Sequence, residues 1–221
     1  MLYFKQIEIG PMQNYVYLIG SQETRKAAVV DAAWEIDTIL KIAAADDVEI
    51  THAFVTHTHP DHVGGKFANV DIPGVSELLT RCKAKVVVHK TEVDALKGLS
   101  PTDVIKAESG DKIDVGGVEI QLLHTPGHTP GSQCFLVDGR IVSGDTLFIN
   151  ACGRVDFPGG NAEQMYYSLT QKLMALPDET ILFPGHNYAA KPQDTIGEQK
   201  KTNPYLKFTS LKQFLGAMGY R

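Results

Sequence analysis

The chain has 221 residues, 43% of them hydrophobic and 21% charged, and a formal net charge of −5. This is the composition of an ordinary folded protein with ample material for a core. The absence of any lysine or arginine block argues against a nucleic-acid partner, which needs a basic face, and no apolar run reaches membrane-spanning length.

The three cysteines, Cys82, Cys134 and Cys152, form no CxxC pair. Neither a disulfide framework nor a cysteine zinc site is therefore indicated, and a reducing, cytoplasmic setting is expected. The opening "MLYFKQIEIG" lacks a basic head followed by an apolar core, so it reads as a strand and not as a signal peptide.

Apolar, β-branched runs predict strands at Tyr15–Ile19, Ala27–Val30, His52–Val55 and Lys85–Val88, and then at Val118–Leu123, Cys134–Val137, Arg140–Val142 and Thr180–Phe183. Each is bounded by Gly, Pro, Asp or Asn, the usual strand punctuation. Asp138-Gly139 between two of these runs predicts a hairpin. Helical spacing appears over Trp34–Ala45, Val75–Cys82 and Thr209–Met218. It is clearest over Ala162–Leu176, where Asn161 and Gln164 form a capping box and Met165, Leu169, Leu173 and Leu176 form an apolar stripe. With no internal repeat and no evident linker, one domain over residues 1–221 is expected, in an α/β (α+β) layered class with helices outside.

Between the third and fourth strand runs lies "FVTHTHPDHVGG", which places His57, His59, Asp61 and His62 within six positions. A lone histidine is more often a packed residue than a ligand. Three beside a carboxylate are costly to bury unless a cation compensates them. If extended backbone continues past the strand, His57 and His59 point the same way. Pro60 biases His59 to extended geometry and ends the strand. Asp61 and His62, being adjacent, project differently, so the motif serves two neighbouring points. Three further segments repeat the theme of a chemistry-bearing residue just after an apolar strand: His128 in "HTPGHTPGS", Asp145 in "VSGDTLF" and His186 in "ILFPGHNY". Seven ligands of this kind are too many for one ion and suit two, roughly 3.5–4 Å apart, sharing a carboxylate. Imidazole and carboxylate together favour zinc, with iron or manganese as alternatives. His52, His89 and His124 lack such neighbours and read as structural.

The motifs "THTHPDH", "PGHTPGS", "SGDTLF" and "PGHNY", in this order, resemble those of the metallo-β-lactamase-fold superfamily over nearly the whole chain. The resemblance implies a four-layer αββα sandwich of two mixed sheets with a dinuclear site at one edge. It also implies that His57, His59 and His128 hold one metal and Asp61, His62 and His186 the other, with Asp145 bridging.

Within that superfamily "GDTLFINACGRVDFPGGNAEQMYYSL" is similar to the glyoxalase II (hydroxyacylglutathione hydrolase) group and to persulfide dioxygenases. Long glyoxalase II enzymes carry an extra C-terminal helical domain. Here 35 residues follow His186, and the shorter glyoxalase II-like enzymes fit better. The resemblance implies hydrolysis of a thioester such as S-(2-hydroxyacyl)glutathione. Two metals would lower the pKa of a water towards ~7, with Asp61 as the catalytic group that orients it. Arg154, Tyr188 and Lys191 are candidate anchors for an anionic glutathione moiety, and Cys152 reads as structural. The alternative is a persulfide dioxygenase with a single iron on His57, His128 and Asp145; lactonases, which share the whole ligand set, form a further one. The partner expected is a small molecule, with no nucleic acid and no membrane, and a homodimer is compatible with this reading.

Overall fold

The computed structural model describes residues 1–220, and two six-stranded mixed sheets form its centre. In the first, spatial order follows chain order: Leu2–Ile9, Asn14–Ser21, Lys26–Val30, Glu49–Phe54, Lys85–His89 and Val104–Ala107. Its first two pairings are antiparallel and the other three parallel. The second sheet runs Asp194–Thr195, Ile181–Pro184, Arg140–Gly144, Gln133–Val137, Glu119–His124, Lys112–Asp114. There only the pairing of Arg140–Gly144 with Ile181–Pro184 is parallel.

Period-two alternation divides each strand between two faces. Tyr15, Tyr17 and Ile19 join Phe54, Phe135 and Val142 in the layer between the sheets. Val16 and Leu18 face the other way, onto the helices Ile36–Ala45 and Val75–Arg81. On the far side Cys134, Ile141 and Leu182 pack beneath Met165, Leu169, Leu173 and Phe214 of the later helices. Three apolar interfaces between four layers constitute the αββα sandwich expected from the motifs. No helix of the described residues is long and apolar enough to cross a membrane.

Several local expectations need adjusting. The strand carrying the histidine motif ends at Phe54, so His57 and His59 lie beyond the ladder on unpaired backbone. His59 is nonetheless extended (φ −69°, ψ 146°), as a residue before proline should be, and Pro60 opens a one-turn helix, Pro60–Val63. The Asn161 side chain accepts from the Gln164 amide, but the regular α-helix covers only Ala162–Tyr167 before widening into a π-turn over Ser168–Leu173. The last helix is Leu211–Ala217, capped by Ser210. The hairpin at Asp138-Gly139 forms with both residues at positive φ (44° and 71°), the mirror-image turn that suits the twist of paired strands.

The two sheets are joined at the edge where the chemistry gathers. Gln133, buried at the start of its strand, donates through its amide to the Thr56 carbonyl (2.9 Å) and through Nε2 to the Val55 carbonyl (2.8 Å). This holds the segment leading into the histidine motif against the second sheet. Strand ends from both sheets therefore open onto one side of the molecule.

Candidate metal centre

The expected residues come from five separate stretches of chain and meet at that edge. His57 and His59 follow the strand Glu49–Phe54, and Asp61 and His62 sit on the one-turn helix after it. His128 follows Glu119–His124, Asp145 follows Arg140–Gly144, and His186 follows Ile181–Pro184. All but His59 and Asp145 are buried, and those two are partly exposed.

Two sets of donor atoms converge. In the first, His59 Nδ1 lies 3.1 Å from His57 Nε2 and 2.9 Å from His128 Nε2. In the second, His62 Nε2 lies 3.2 Å from His186 Nε2, and Asp61 Oδ2 stands 3.2 Å and 3.4 Å from those two nitrogens. The carboxylate of Asp145 touches both sets: Oδ2 is 3.6 Å from His128 Nε2 and 3.5 Å from His186 Nε2, and Oδ1 is 3.5 Å from His62 Nε2.

The donor set fits divalent metal. Tetrahedral coordination at about 2.0–2.1 Å places donor atoms roughly 3.3 Å apart, close to the spacing in both clusters. Imidazole lone pairs at this separation repel one another unless a proton or a cation lies between them. Asp145 Oδ1 is also buried without a hydrogen-bond partner, an orphaned acceptor facing the second cluster. The far nitrogens are accounted for. His62 Nδ1 donates to Asp31 Oδ2 (2.9 Å), His128 Nδ1 to the Arg154 carbonyl (2.7 Å) and His186 Nδ1 to the Met12 carbonyl (2.9 Å). His57 Nδ1 bonds Thr56 Oγ1, which donates in turn to Asp31 (2.6 Å). With each Nδ1–H engaged, these four Nε2 atoms are left to ligate.

The electrostatics divide the cluster in two. Burial, followed by the neighbouring His62 and His128, drives His57 well below its ordinary value. The same causes push His59 down to about 4. Burial also opposes protonation of His62, but the carboxylates of Asp145 and Asp61 outweigh it and raise that imidazole well above the usual range. Hydrogen bonds and charge from the same pair raise His186 to about 9 against its burial. Both carboxylates are held far below the ordinary range in spite of burial, chiefly by His62. Burial thus disfavours positive charge on the His57 and His59 side, while the two carboxylates favour it on the His62 and His186 side.

Three contributors were not anticipated from the sequence. Asp31, buried after the strand Lys26–Val30, orients His62 and Thr56 together. It obeys the strand-end rule that points to Asp145, so the signal was present. Asn14 donates to the backbone oxygen of Asp61 (3.1 Å) and to its Oδ2 (3.0 Å), and nothing in its local sequence marks it out. Glu92 is the third. The other histidines lie apart from the clusters: His89 and His124 stack face to face at 3.8 Å, and His52 bonds Thr51.

A cavity of about 530 Å³ opens above the clusters, walled by Met12, Phe67, Phe148, Phe157 and Tyr188 among others. Tyr188 lies parallel to the His186 ring at 4.6 Å, and burial followed by the Asp145 and Asp61 charges raises its hydroxyl to about 12. Arg154 lines the cavity, paired with Asp156 through two bonds (2.9 and 2.6 Å) and lying over Phe157 at 4.4 Å. Lys191 pairs with Asp194 (3.2 Å) and is not part of the cavity wall. Cys152 lines the cavity with its thiol raised by burial to about 12, which leaves it protonated and a poor nucleophile.

The family model of the metallo-β-lactamase superfamily matches residues 9–186. The chain belongs to the metallo-β-lactamase superfamily. Relatives within it differ in chemistry. The chain is 36% identical over 185 residues to the cytoplasmic hydroxyacylglutathione hydrolase of Arabidopsis thaliana, covering 80% of this chain and 65% of that protein. It is 29% identical over 203 residues to the probable polyketide biosynthesis zinc-dependent hydrolase BaeB of Bacillus velezensis, covering 91% and 85%. The crystal structure of ETHE1 from Myxococcus xanthus superposes with a TM-score of 0.84 at 36% identity, covering 98% of this chain and 90% of that one. Superfamily membership and the donor set together make this a divalent-metal site of hydrolase or oxygenase type.

Proposed function

We propose that this protein is a metal-dependent hydrolase of glyoxalase II type that cleaves a thioester, with S-(2-hydroxyacyl)glutathione as its substrate class. The observation that carries the reading is the pair of complete three-donor clusters joined by Asp145, an arrangement suited to two ions and attack by water. His57, His59 and His128 would hold one ion and Asp61, His62 and His186 the other, with zinc favoured. Bound there, two divalent ions supply a hydroxide-strength nucleophile at neutral pH and polarise the substrate carbonyl.

The chain's own groups do the positioning. Asp61, steadied by Asn14, lines the cavity and accepts a hydrogen bond from the attacking water. Tyr188, kept protonated, donates to the substrate, and Arg154 offers charge to its carboxylates at the mouth. A thiolate leaves without a general acid. The second reading, a persulfide dioxygenase with one iron on His57, His128 and Asp145, is supported by the likeness to ETHE1 from Myxococcus xanthus and by 29% identity over 217 residues to the mitochondrial persulfide dioxygenase ETHE1 of Homo sapiens.

The deciding experiment is metal analysis of the purified protein together with thioester, lactone and β-lactam panels and oxygen uptake on glutathione persulfide. Two ions with thioester cleavage, abolished by His128→Ala, is the expected result. One iron with oxygen uptake and no thioester cleavage overturns the hydrolase reading.

A further inference from the structure

The first donor cluster spans the sandwich. His57 and His59 leave the first sheet, whereas His128 belongs to the loop Thr125–Ser132 that leaves the second. The distance between these two loops sets whether the three nitrogens can share an ion. One side chain bonds both loops. Glu92, buried in the 3₁₀ turn Lys90–Ala95, accepts through Oε2 from the Thr58 amide (2.7 Å) and the Thr58 hydroxyl (2.8 Å). Through Oε1 it accepts from the Gly131 amide (2.9 Å). Thr58 lies between His57 and His59, and Gly131 lies three positions after His128.

Two features distinguish this contact from ordinary packing. The three hydrogen bonds that Glu92 accepts all come from uncharged donors, and a buried carboxylate without a counter-ion is costly unless its donors are well placed. All three of those donors belong to the ligand-bearing loops. The second feature is steric: a Cβ on Gly131 would stand 2.5 Å from Glu92 Cγ and 2.7 Å from Thr91 Oγ1. The loop reaches the carboxylate because a side chain is missing at that position.

We propose that Glu92 is a positioning residue for the His57, His59 and His128 cluster, its single carboxylate setting the spacing between the two loops. The proposal rests on the reading that this cluster holds an ion. It concerns one cluster only, since Asp61, His62 and His186 make no bond to Glu92. Glu92→Gln keeps the size, but its amide nitrogen cannot accept a hydrogen bond, so either the Thr58 pair or the Gly131 bond is lost. Gly131→Ala leaves Glu92 intact and pushes the loop away from it.

The test is titration of the metal-stripped full chain with Co²⁺ and Zn²⁺ against a competing chelator, resolving two binding steps. Circular dichroism and melting of the stripped proteins run alongside. Both variants should lose about 10- to 100-fold in affinity at one step, with an altered Co²⁺ spectrum for that step, and leave the other step unchanged while the stripped protein stays folded. Two wild-type affinities in either folded variant overturn the proposal, as do parallel losses at both steps with a lower stripped melting temperature. If His57→Ala and His128→Ala leave the wild-type titration unchanged, the cluster holds no ion and the parent reading fails instead.

Discussion

His62 and His186, 124 positions apart in the chain, face each other with Nε2 atoms 3.2 Å apart, while their Nδ1 atoms are tied to Asp31 and to the Met12 carbonyl. Both rings are thereby aimed before any cation arrives. An imidazole whose far nitrogen is engaged cannot turn away, so little ordering remains to oppose metal binding.

This makes Asp31 a sensitive position. Asp31→Asn keeps the shape of the side chain but removes the charge that His62 and Thr56 share. Zinc affinity measured by chelator competition should fall about 10- to 100-fold, in the step assigned to Asp61, His62 and His186. An unchanged affinity would show that Asp31 supports the loop and not the ligand.

Metal-free protein should have a stability profile set by opposed histidines. His186, raised to about 9 in the folded state, contributes stability that is complete below the unfolded value near 6.5 and lost as pH rises through 9. His59, lowered to about 4, has the opposite sign: its penalty grows as pH falls from 6.5 through 4. Thermal melts of the chelated protein should therefore peak near pH 6.5. Bound metal removes the His186 titration, so the gap between metal-loaded and stripped melting temperatures should widen from pH 6.5 to 9. A gap that stays constant contradicts the assignment.

Arg154 and Lys191 are both candidates for gripping an anionic substrate, but only Arg154 lines the cavity. Arg154→Ala should raise KM about 10-fold with kcat little changed, the signature of lost uniform binding. Lys191→Ala should leave both constants within about twofold, its charge being directed at Asp194. Steady-state kinetics on one thioester separates the two cases.

In the layer between the sheets Phe54 meets Phe135 edge to face, at 5.0 Å and 83°. Both rings are fully buried. Phe135→Ala should cost about 3–5 kcal/mol in denaturant unfolding, with the slope unchanged and metal stoichiometry preserved in the folded fraction.

Much of this was legible along the chain because its physical basis is local. Alternation in Tyr15–Ile19 records that one strand has two buried faces, and proline and glycine around His59 and His128 record where backbone must turn. The run from His57 to His62 names its chemistry through residue type alone, since three imidazoles and a carboxylate in six positions have few structural uses. Where regular elements stop was less legible. The strand before His57 ends at Phe54 because its neighbours stop pairing there, and that depends on other strands.

What tertiary structure alone decided is the support around the ligands. Asn14 reaches Asp61 across 47 positions, and Glu92 joins Thr58 to Gly131 from a turn that carries no metal motif. An asparagine or glutamate in isolation is an ordinary polar residue. It becomes a positioning group only when folding buries it and leaves it a single set of partners, and those partners are chosen by sheet topology, not by sequence neighbours. Residue types and strand punctuation determined which chemistry this protein can perform. The packing of one sheet on the other decided which atoms meet, because hydrogen bonds and coordination are fixed by distances in space.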